Sequence, residues 1–426
     1  MYIPIGVTDT GKPFSIDSDY HATVEGMTGV GKSTLLKNLF VEFIRSGNGG
    51  CLIDPHGDLA DQIAALIPKE RRRDFIWIDP DADRVPGLNI LHYDDPKDKE
   101  RGVEAFLTIM KALAGSAWGD ETGRVLTNAA DSVMESYERP TPLPIFRFMA
   151  DDAFRTTLPA SSKNPFLAWF KEQYDDKLGD REQMSKFSPP INKVGKLMRP
   201  LILPIIAQER SLDFLDIMNR GKIVVCRFSK GRLGEETAQI LGSLVVSMIS
   251  IAGLRREKQK ERRPFMLMAD EVANFVHGGR FGTLLAEARK YGISLVTAFQ
   301  GGYQIPFLKD LYTNSATQIV FNVSGEDAET VAKNWRWMVY PHELSAEHIT
   351  ALPRYQFYCR TFIGDEPHVA KVLGRTGAKR RFTTLHHRKT HHRCLEAHHE
   401  SLIRESLQRW SADRNRVLSE ILKSLS

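Results

Sequence analysis

Eight consecutive residues, Gly26-Met27-Thr28-Gly29-Val30-Gly31-Lys32-Ser33, fit the pattern G-x-x-x-x-G-K-[ST]. Glycines at this spacing let consecutive backbone N–H groups curl around phosphate oxygens. A helix opening at Ser33 directs its partial positive charge to the same point. Lys32 would reach the β- and γ-phosphates, and the Ser33 hydroxyl would ligate Mg2+. Gly26, Thr28, Gly29, Val30, Gly31, Lys32, Ser33 and Thr34 are the expected nucleotide cradle, with ATP and Mg2+ as expected ligands. The alternative is a glycine-rich turn with an incidental lysine; the short strand before it and the helix after it argue against that.

A second run, FMLMADE (265–271), is an apolar strand ending in two carboxylates. Asp270 suits Mg2+ held through its water shell, and Glu271 suits a base that polarises the attacking water. That pairing favours hydrolysis over transfer to a second substrate. Farther on, LLAEARKY (284–291) carries Arg289 on a helix, and SLVTAFQ (294–300) ends a strand at Gln300. A glutamine there can orient water or sense hydrolysis, and an arginine near a subunit boundary can stabilise transition-state charge in trans. Taken alone, an arginine on a helix is usually just solvated. Asp54, His56 and Asp58 in DPHGD invite a metal or acid–base reading, but Pro, Gly and Asp after a strand are first of all good turn chemistry.

Such residues act together only if strands bring them together. Short apolar, β-rich runs at 21–25, 50–54, 75–78, 222–228, 265–269, 294–299 and 318–323 alternate with helical patterns at 33–46, 235–258, 283–291 and 326–335. CLID, IVVCRF, FMLMAD and SLVTAF are nearly continuous in apolar residues, as parallel strands covered on both faces are. The expected fold class is α/β with a mostly parallel sheet. Between about Leu88 and Arg220 the strand signal lapses, and helical patterns with breaks such as RPTPLP read as an inserted helical subdomain.

The 426 residues are 42% apolar and 26% charged, an ordinary globular mix that excludes disorder and collagen-like repeats. The longest uncharged run, 237–254, is short for a membrane span and contains Gly242, Ser243, Ser247 and Ser250, so it reads as a buried helix. No signal peptide is expected, because MYIPIGVTDTGKPF lacks a basic and then apolar pattern. Cys51, Cys226, Cys359 and Cys394 form no CxxC pair, which excludes a disulfide scaffold or zinc ribbon and suits a reducing compartment.

Charge is unevenly placed. Residues 375–426 hold 12 Lys/Arg against 5 Asp/Glu, a net of +7, which leaves 46 against 48, a net of −2, for the rest. Within 375–393, seven Lys/Arg and four His without an acid read as a flexible basic segment able to bind phosphates non-specifically. Its pairs His386-His387 and His391-His392, and the later His398-His399, read as added positive charge or solvated tail rather than a metal site. Residues 394–426 carry an amphipathic stripe through Leu402, Leu407, Trp410, Val417 and Ile421, with partner docking through Leu407 and Trp410 as one reading.

In order along the chain, these segments resemble the HerA/FtsK superfamily of P-loop DNA motor ATPases, most closely the TraG-type coupling ATPases of conjugative type IV secretion systems. The resemblance rests on GMTGVGKST (26–34), LIDPHGDL (52–59), VPGLNIL (85–91), MLMADEVANF (266–275) and LLAEARKYGISLVTAFQ (284–300), and runs from about Ile3 to Leu373. It implies a RecA-like core in two parts, 1–88 and 221–374, an all-α insert at 89–220, and a basic tail at 375–426. It also implies a hexameric ring threaded by DNA, with Arg289 as a trans-acting finger and Gln300 as a sensor. Coupling proteins usually begin with transmembrane helices and HerA-type proteins with a β-barrel; neither is expected in the roughly 20 residues before the first expected strand. The expectation is a cytoplasmic, ring-forming, Mg2+-dependent ATPase that translocates DNA in conjugative or integrative-element transfer. A relaxase or secretion-channel proteins would recruit it to the inner membrane face. The alternatives are a HerA-like translocase in DNA processing or defence, and a nucleotide-switched scaffold that recruits cargo to a secretion channel. Glu271 and Gln300 favour the motor.

Overall fold

The computed structural model describes residues 1–93, 95–158, 167, 169–170, 172–173, 179–275, 280–335, 343–363, 366–375 and 385–425. Its strands are β1 (Tyr2–Thr8), β2 (Pro13–Asp17), β3 (Ala22–Glu25), β4 (Gly49–Asp54), β5 (Phe75–Ile78), β6 (Arg84–Val85), β7 (Ile223–Arg227), β8 (Phe265–Ala269), β9 (Ile293–Phe299), β10 (Thr317–Val320), β11 (Gln356–Ile363), β12 (Glu366–Gly374) and β13 (Ala412–Asp413). Eleven form one sheet in the order β2-β1-β12-β11-β10-β3-β9-β8-β4-β7-β5. From β10 to β5 every pairing is parallel. These seven strands are the runs expected from the sequence. The central ones, β4, β8 and β9, are buried along their whole length, as covering on both faces requires.

Four antiparallel strands, β1, β2, β11 and β12, were not among the expected runs. Buried residues in β2 and β12 are interleaved with exposed or half-buried ones, so the apolar signal never becomes continuous. Two of the four fill the segment before β3 that was expected to hold no strand.

On one face, Leu36, Phe40 and Ile63 from helices Lys32–Arg45 and Asp58–Ala64 bury Leu52, Val225 and Met268. On the other, helix Glu235–Arg255 packs Leu241, Val245 and Ile249 among Cys51, Ile53, Val224 and Leu267. That helix is long and apolar enough to cross a membrane by length and composition, but 83% of its apolar window is buried inside the protein. The helices Lys99–Ala114, Asp120–Ser136, Pro142–Ala150, Asp180–Val194 and Phe214–Arg220 extend the same core through Phe106, Val125, Phe148, Phe187 and Met218.

The tail departs from two expectations. It is helical from Leu385 to Trp410, where the segment through Arg393 was expected to be flexible; residues 376–384 and the side chains of His386, His387, His391 and His392 lie outside the described residues. Its apolar stripe is also not a free docking face. Leu402 is fully buried, Ile403 and Leu407 pack beside it, and the Lys222 ammonium sits 4.3 Å above the Trp410 ring. His398 lies against Arg72, and His399 meets the edge of Trp77. The Ser406 hydroxyl accepts the Trp77 N–H at 2.8 Å and donates to the Phe75 carbonyl at 3.1 Å, closing the outer edge of β5. Beyond it, β13 pairs with β6, and helix Arg414–Leu425 seats Val417 and Ile421 on Leu143 of the helical region.

Ser406→Ala would leave a buried N–H and C=O unpaired, and is expected to cost about 1–3 kcal/mol. Ser419→Ala, at an exposed hydroxyl bonded to Asn415 of its own helix, is expected to cost almost nothing. Denaturant midpoints of the two variants check this; equal midpoints would refute the edge-closing role.

Candidate active site

A parallel sheet gathers at one edge the loops that leave its strands. Because β3, β9, β8, β4 and β7 are adjacent, the residues after them converge: the P-loop, Gln300, Asp270 with Glu271, the 54–58 turn and Lys230.

The P-loop leaves β3 so close to β10 that a β-carbon on Gly26 would lie 2.7 Å from Phe321 Cβ. Gly31 has φ +122°, a conformation open to glycine, and helix Lys32–Arg45 starts directly after it. Met27, Thr28, Gly29 and Ser33 are exposed, and Val30 and Thr34 half-buried. Lys32 is only 8% exposed, and its ammonium donates to the carbonyls of Met27 (3.0 Å) and Gly26. Burial holds its pKa below the ordinary value, against the opposing pull of Asp270, Glu271 and Glu25.

Burial, together with Asp54 and Glu271, pushes the Asp270 carboxyl up to about 6. A hard divalent cation would offset this crowding. The oxygen donors Ser33 and Asp270 therefore fit Mg2+ as the group to be held here.

Glu271 has φ +46°, a left-handed conformation directly after Asp270 at the end of β8. Its Oε1 accepts from Gln300 Nε2 at 2.6 Å and from His56 Nε2 at 3.0 Å; its Oε2 lies 3.4 Å from Asn274 Nδ2. Lys230 donates to the Asn274 side-chain oxygen behind it. Burial alone would raise the Glu271 carboxyl, but the hydrogen bonds of His56 and Gln300 and the charge of Lys230 outweigh it. The group stays below its ordinary value and is ionised at neutral pH.

His56 and Asn274 were missed as contacts of the base, and Lys230 as the cation behind Asn274. The turn reading of DPHGD holds for Asp54, whose two oxygens accept the backbone N–H of His56 and Ala60, each at 2.8 Å. That same turn aims His56 at Glu271. The signal is the adjacency of β4 and β8, which sequence spacing does not reveal.

Arg289 is not brought to this edge. It lies in the 3-10 turn Ala288–Tyr291 ahead of β9, exposed, with its guanidinium 3.9 Å from the Tyr20 ring centroid. The seven residues of β9 separate it from Gln300, about 20 Å at ~3.3 Å per residue.

Glu25 ends β3 just before the P-loop and is 1% exposed. Its Oε2 accepts the Tyr312 hydroxyl at 2.6 Å, while Oε1 has no partner among the described residues. Burial pushes its carboxyl up to about 7.

Among solved structures, the chain is similar to the bacterial conjugative coupling protein TrwBΔN70 in its unbound form, with a TM-score of 0.63 and 18% identity over 88% of this chain and 90% of that one. The plasmid coupling protein TrwB in complex with ADP and Mg2+ matches equally well, with a TM-score of 0.63 and 18% identity over 88% and 91%. VirB4 of Thermoanaerobacter pseudethanolicus follows with 0.56 and 14% identity over 87% and 96%. No protein-family profile matches the chain, and no curated protein matches it by sequence. The likeness establishes the fold: a RecA-like P-loop core, as the motif resemblance to coupling ATPases implied.

Glu25 supplies a pH test. Its folded pKa is raised to about 7 from the ordinary 4.5, so the folded chain holds the proton longer than the unfolded one. Stability from this group is therefore lost as pH rises from 4.5 through 7. Glu25→Gln keeps the acceptor for Tyr312 and removes the titration. It is expected to match the parent near pH 4.5 and to exceed it above pH 7 by up to about 3 kcal/mol. Melting temperatures at pH 5 and 8 check this; a gap independent of pH would refute it.

Proposed function

We propose that the chain is a Mg2+-dependent ATPase that assembles into a ring, a hexamer by its resemblance, and translocates DNA in conjugative or integrative-element transfer. The observation that carries the hydrolytic reading is Glu271, an ionised carboxylate held by Gln300 and His56 at the sheet edge shared with Lys32. Lys32 and the P-loop N–H groups bind the triphosphate. Mg2+, held through Ser33 and Asp270, would neutralise charge on the β- and γ-oxygens. Glu271 takes a proton from the attacking water as the water oxygen bonds to the γ-phosphorus and the β–γ bridging bond breaks, releasing ADP and phosphate. Gln300, already bonded to Glu271, links that step to β9 and the loop beyond it. Structures of TrwB with ADP and Mg2+ and with non-hydrolysable GTP and ATP analogues support a nucleotide–Mg2+ site on this fold.

The division into core (1–88 and 221–374), helical insert (89–220) and tail (375–426) belongs to the same reading, as do a cytoplasmic location and relaxase or secretion-channel partners. Phosphate release measured with and without DNA tests it, with DNA expected to stimulate turnover. Glu271→Gln should still bind ATP but release phosphate at least about 100-fold more slowly. His56→Ala should lower kcat without moving KM. Near-native turnover by Glu271→Gln would remove it as the base.

Ring formation has its own test in Arg289, which lies too far from its own P-loop to act there. Arg289→Ala should leave ATP binding intact and reduce hydrolysis by about 10³-fold or more. Mixed with inactive Lys32→Ala protein, it should regain activity, because some interfaces then pair an intact P-loop with an intact arginine. Two variants inactive at every mixing ratio, with assembly confirmed, would restrict Arg289 to a structural role.

A further inference from the structure

β3 carries the P-loop and has different neighbours on its two sides: β9 and β8 on one, β10 and β11 on the other. Asp270, Glu271 and Gln300 all lie on the β9–β8 side. A nucleotide hydrolysed here points its γ-phosphate that way, so its nucleoside must leave the loop on the β10–β11 side. Arg354 and Tyr355 stand there, immediately before β11.

Tyr355 is fixed from both ends. Its N–H donates to the Val30 carbonyl of the P-loop at 2.8 Å, and its own carbonyl accepts the Gly374 N–H at 2.8 Å. Ring atom Cδ1 lies 2.8 Å from where a β-carbon on Gly31 would be, next to Lys32. The backbone has φ +68°, a left-handed conformation that bulky residues rarely adopt. Glycine would sit there without strain, so a tyrosine at this position is held for its ring. The ring is half-buried, and the exposed Arg354 guanidinium lies 4.7 Å from its centroid. An aromatic ring and a planar cation at the exit of a phosphate cradle are groups that stack on a flat heterocycle.

We propose that Tyr355, assisted by Arg354, is the nucleobase subsite of this P-loop, and holds the purine of the nucleotide by stacking. The proposal rests on the nucleotide-binding reading above. The competing role is purely local: the ring fills the space beside Gly31 and props the loop.

Titration calorimetry with Mg2+-ATP and with Mg2+-tripolyphosphate, which has no base, separates the two. Tyr355→Leu is expected to weaken ATP about tenfold, in line with the loss of one stacked base, and tripolyphosphate by less than about twofold. Tyr355→Phe should retain both ligands. Arg354→Ala, at an exposed side chain resting on the ring, should weaken ATP alone by several-fold and serves if Tyr355→Leu fails to fold. Equal weakening of the two ligands, or unchanged ATP affinity in Tyr355→Leu and Arg354→Ala, would overturn the subsite. Parent protein that takes up neither ligand would overturn the phosphate site itself, and the subsite with it.

Discussion

Lys32 is almost out of contact with water and faces Asp270, Glu271 and Glu25, in a pocket where burial lowers its own pKa and raises those of Asp270 and Glu25. One buried cation among these carboxylates leaves the edge acid-rich, and a bare triphosphate would meet repulsion there. In the nucleotide–Mg2+ reading proposed above, a divalent cation would be held by the crowded carboxylate of Asp270, leaving Lys32 to meet phosphate oxygens. Lys32 now donates to two neutral carbonyls of its own loop. Charge-assisted bonds to phosphate are stronger than those, so the loop is poised to exchange them. Around this cluster, His56 and Gln300 donate to Glu271, and the Asp54 turn, held by the backbone N–H groups of His56 and Ala60, presents His56.

Holding five strand ends in register is what makes that cluster possible, and the sheet is secured away from the site. At the β5 edge the tail supplies Ser406 as a hydrogen-bonding partner, and Arg72 binds Ser401 and Glu405 of the same helix. Elsewhere guanidinium groups tie loops by their carbonyls. Arg71 donates to the carbonyls of Ile44, Asn48 and Gly221. Fully buried Arg256 donates to those of Tyr291 and Arg263 and to Asn219; burial, with Arg262 nearby, pushes it down to about 10. A cation so buried persists because each of its three nitrogens donates to an acceptor.

The legibility of each part in the sequence depends on how that part is buried. Of the seven parallel strands, β4, β7, β8 and β9 were the most legible, because covering on both faces makes their apolar runs nearly continuous. The P-loop and the carboxylate pair were legible because consecutive residues build them. β1, β2, β11 and β12 were not: buried positions are interleaved with exposed or half-buried ones in β2 and β12, Pro4 and Pro367 lie within β1 and β12, and Pro13 opens β2. The tail helix was legible as an amphipathic stripe, but a stripe does not say what it covers, and Ser406 on its buried side looks like any polar residue. His56 illustrates the remaining limit. Its neighbour Asp54 behaves as turn chemistry predicts, while its contact with Glu271 depends on β4 lying beside β8, a matter of strand order that local spacing leaves open.

Strand direction also bears on Arg289. Every strand of the parallel block runs the same way, so its two edges differ in kind: strand ends on one side carry the acids and the P-loop, and strand starts on the other carry the turns tied by Arg256. Arg289 belongs to the second edge, in a turn whose Tyr291 carbonyl Arg256 holds, and it rests on Tyr20 just ahead of β3. The β9 strand that separates it from Gln300 is buried throughout, so no side-chain rotation brings the guanidinium to its own P-loop. An exposed cation held by the Tyr20 ring on one edge and the acid-rich P-loop edge on the other do not meet within one chain, as the proposed trans role requires. In the ring proposed above, head-to-tail contact of identical subunits would bring the two together at each interface, and repetition closes a ring when the rotation between neighbours allows it.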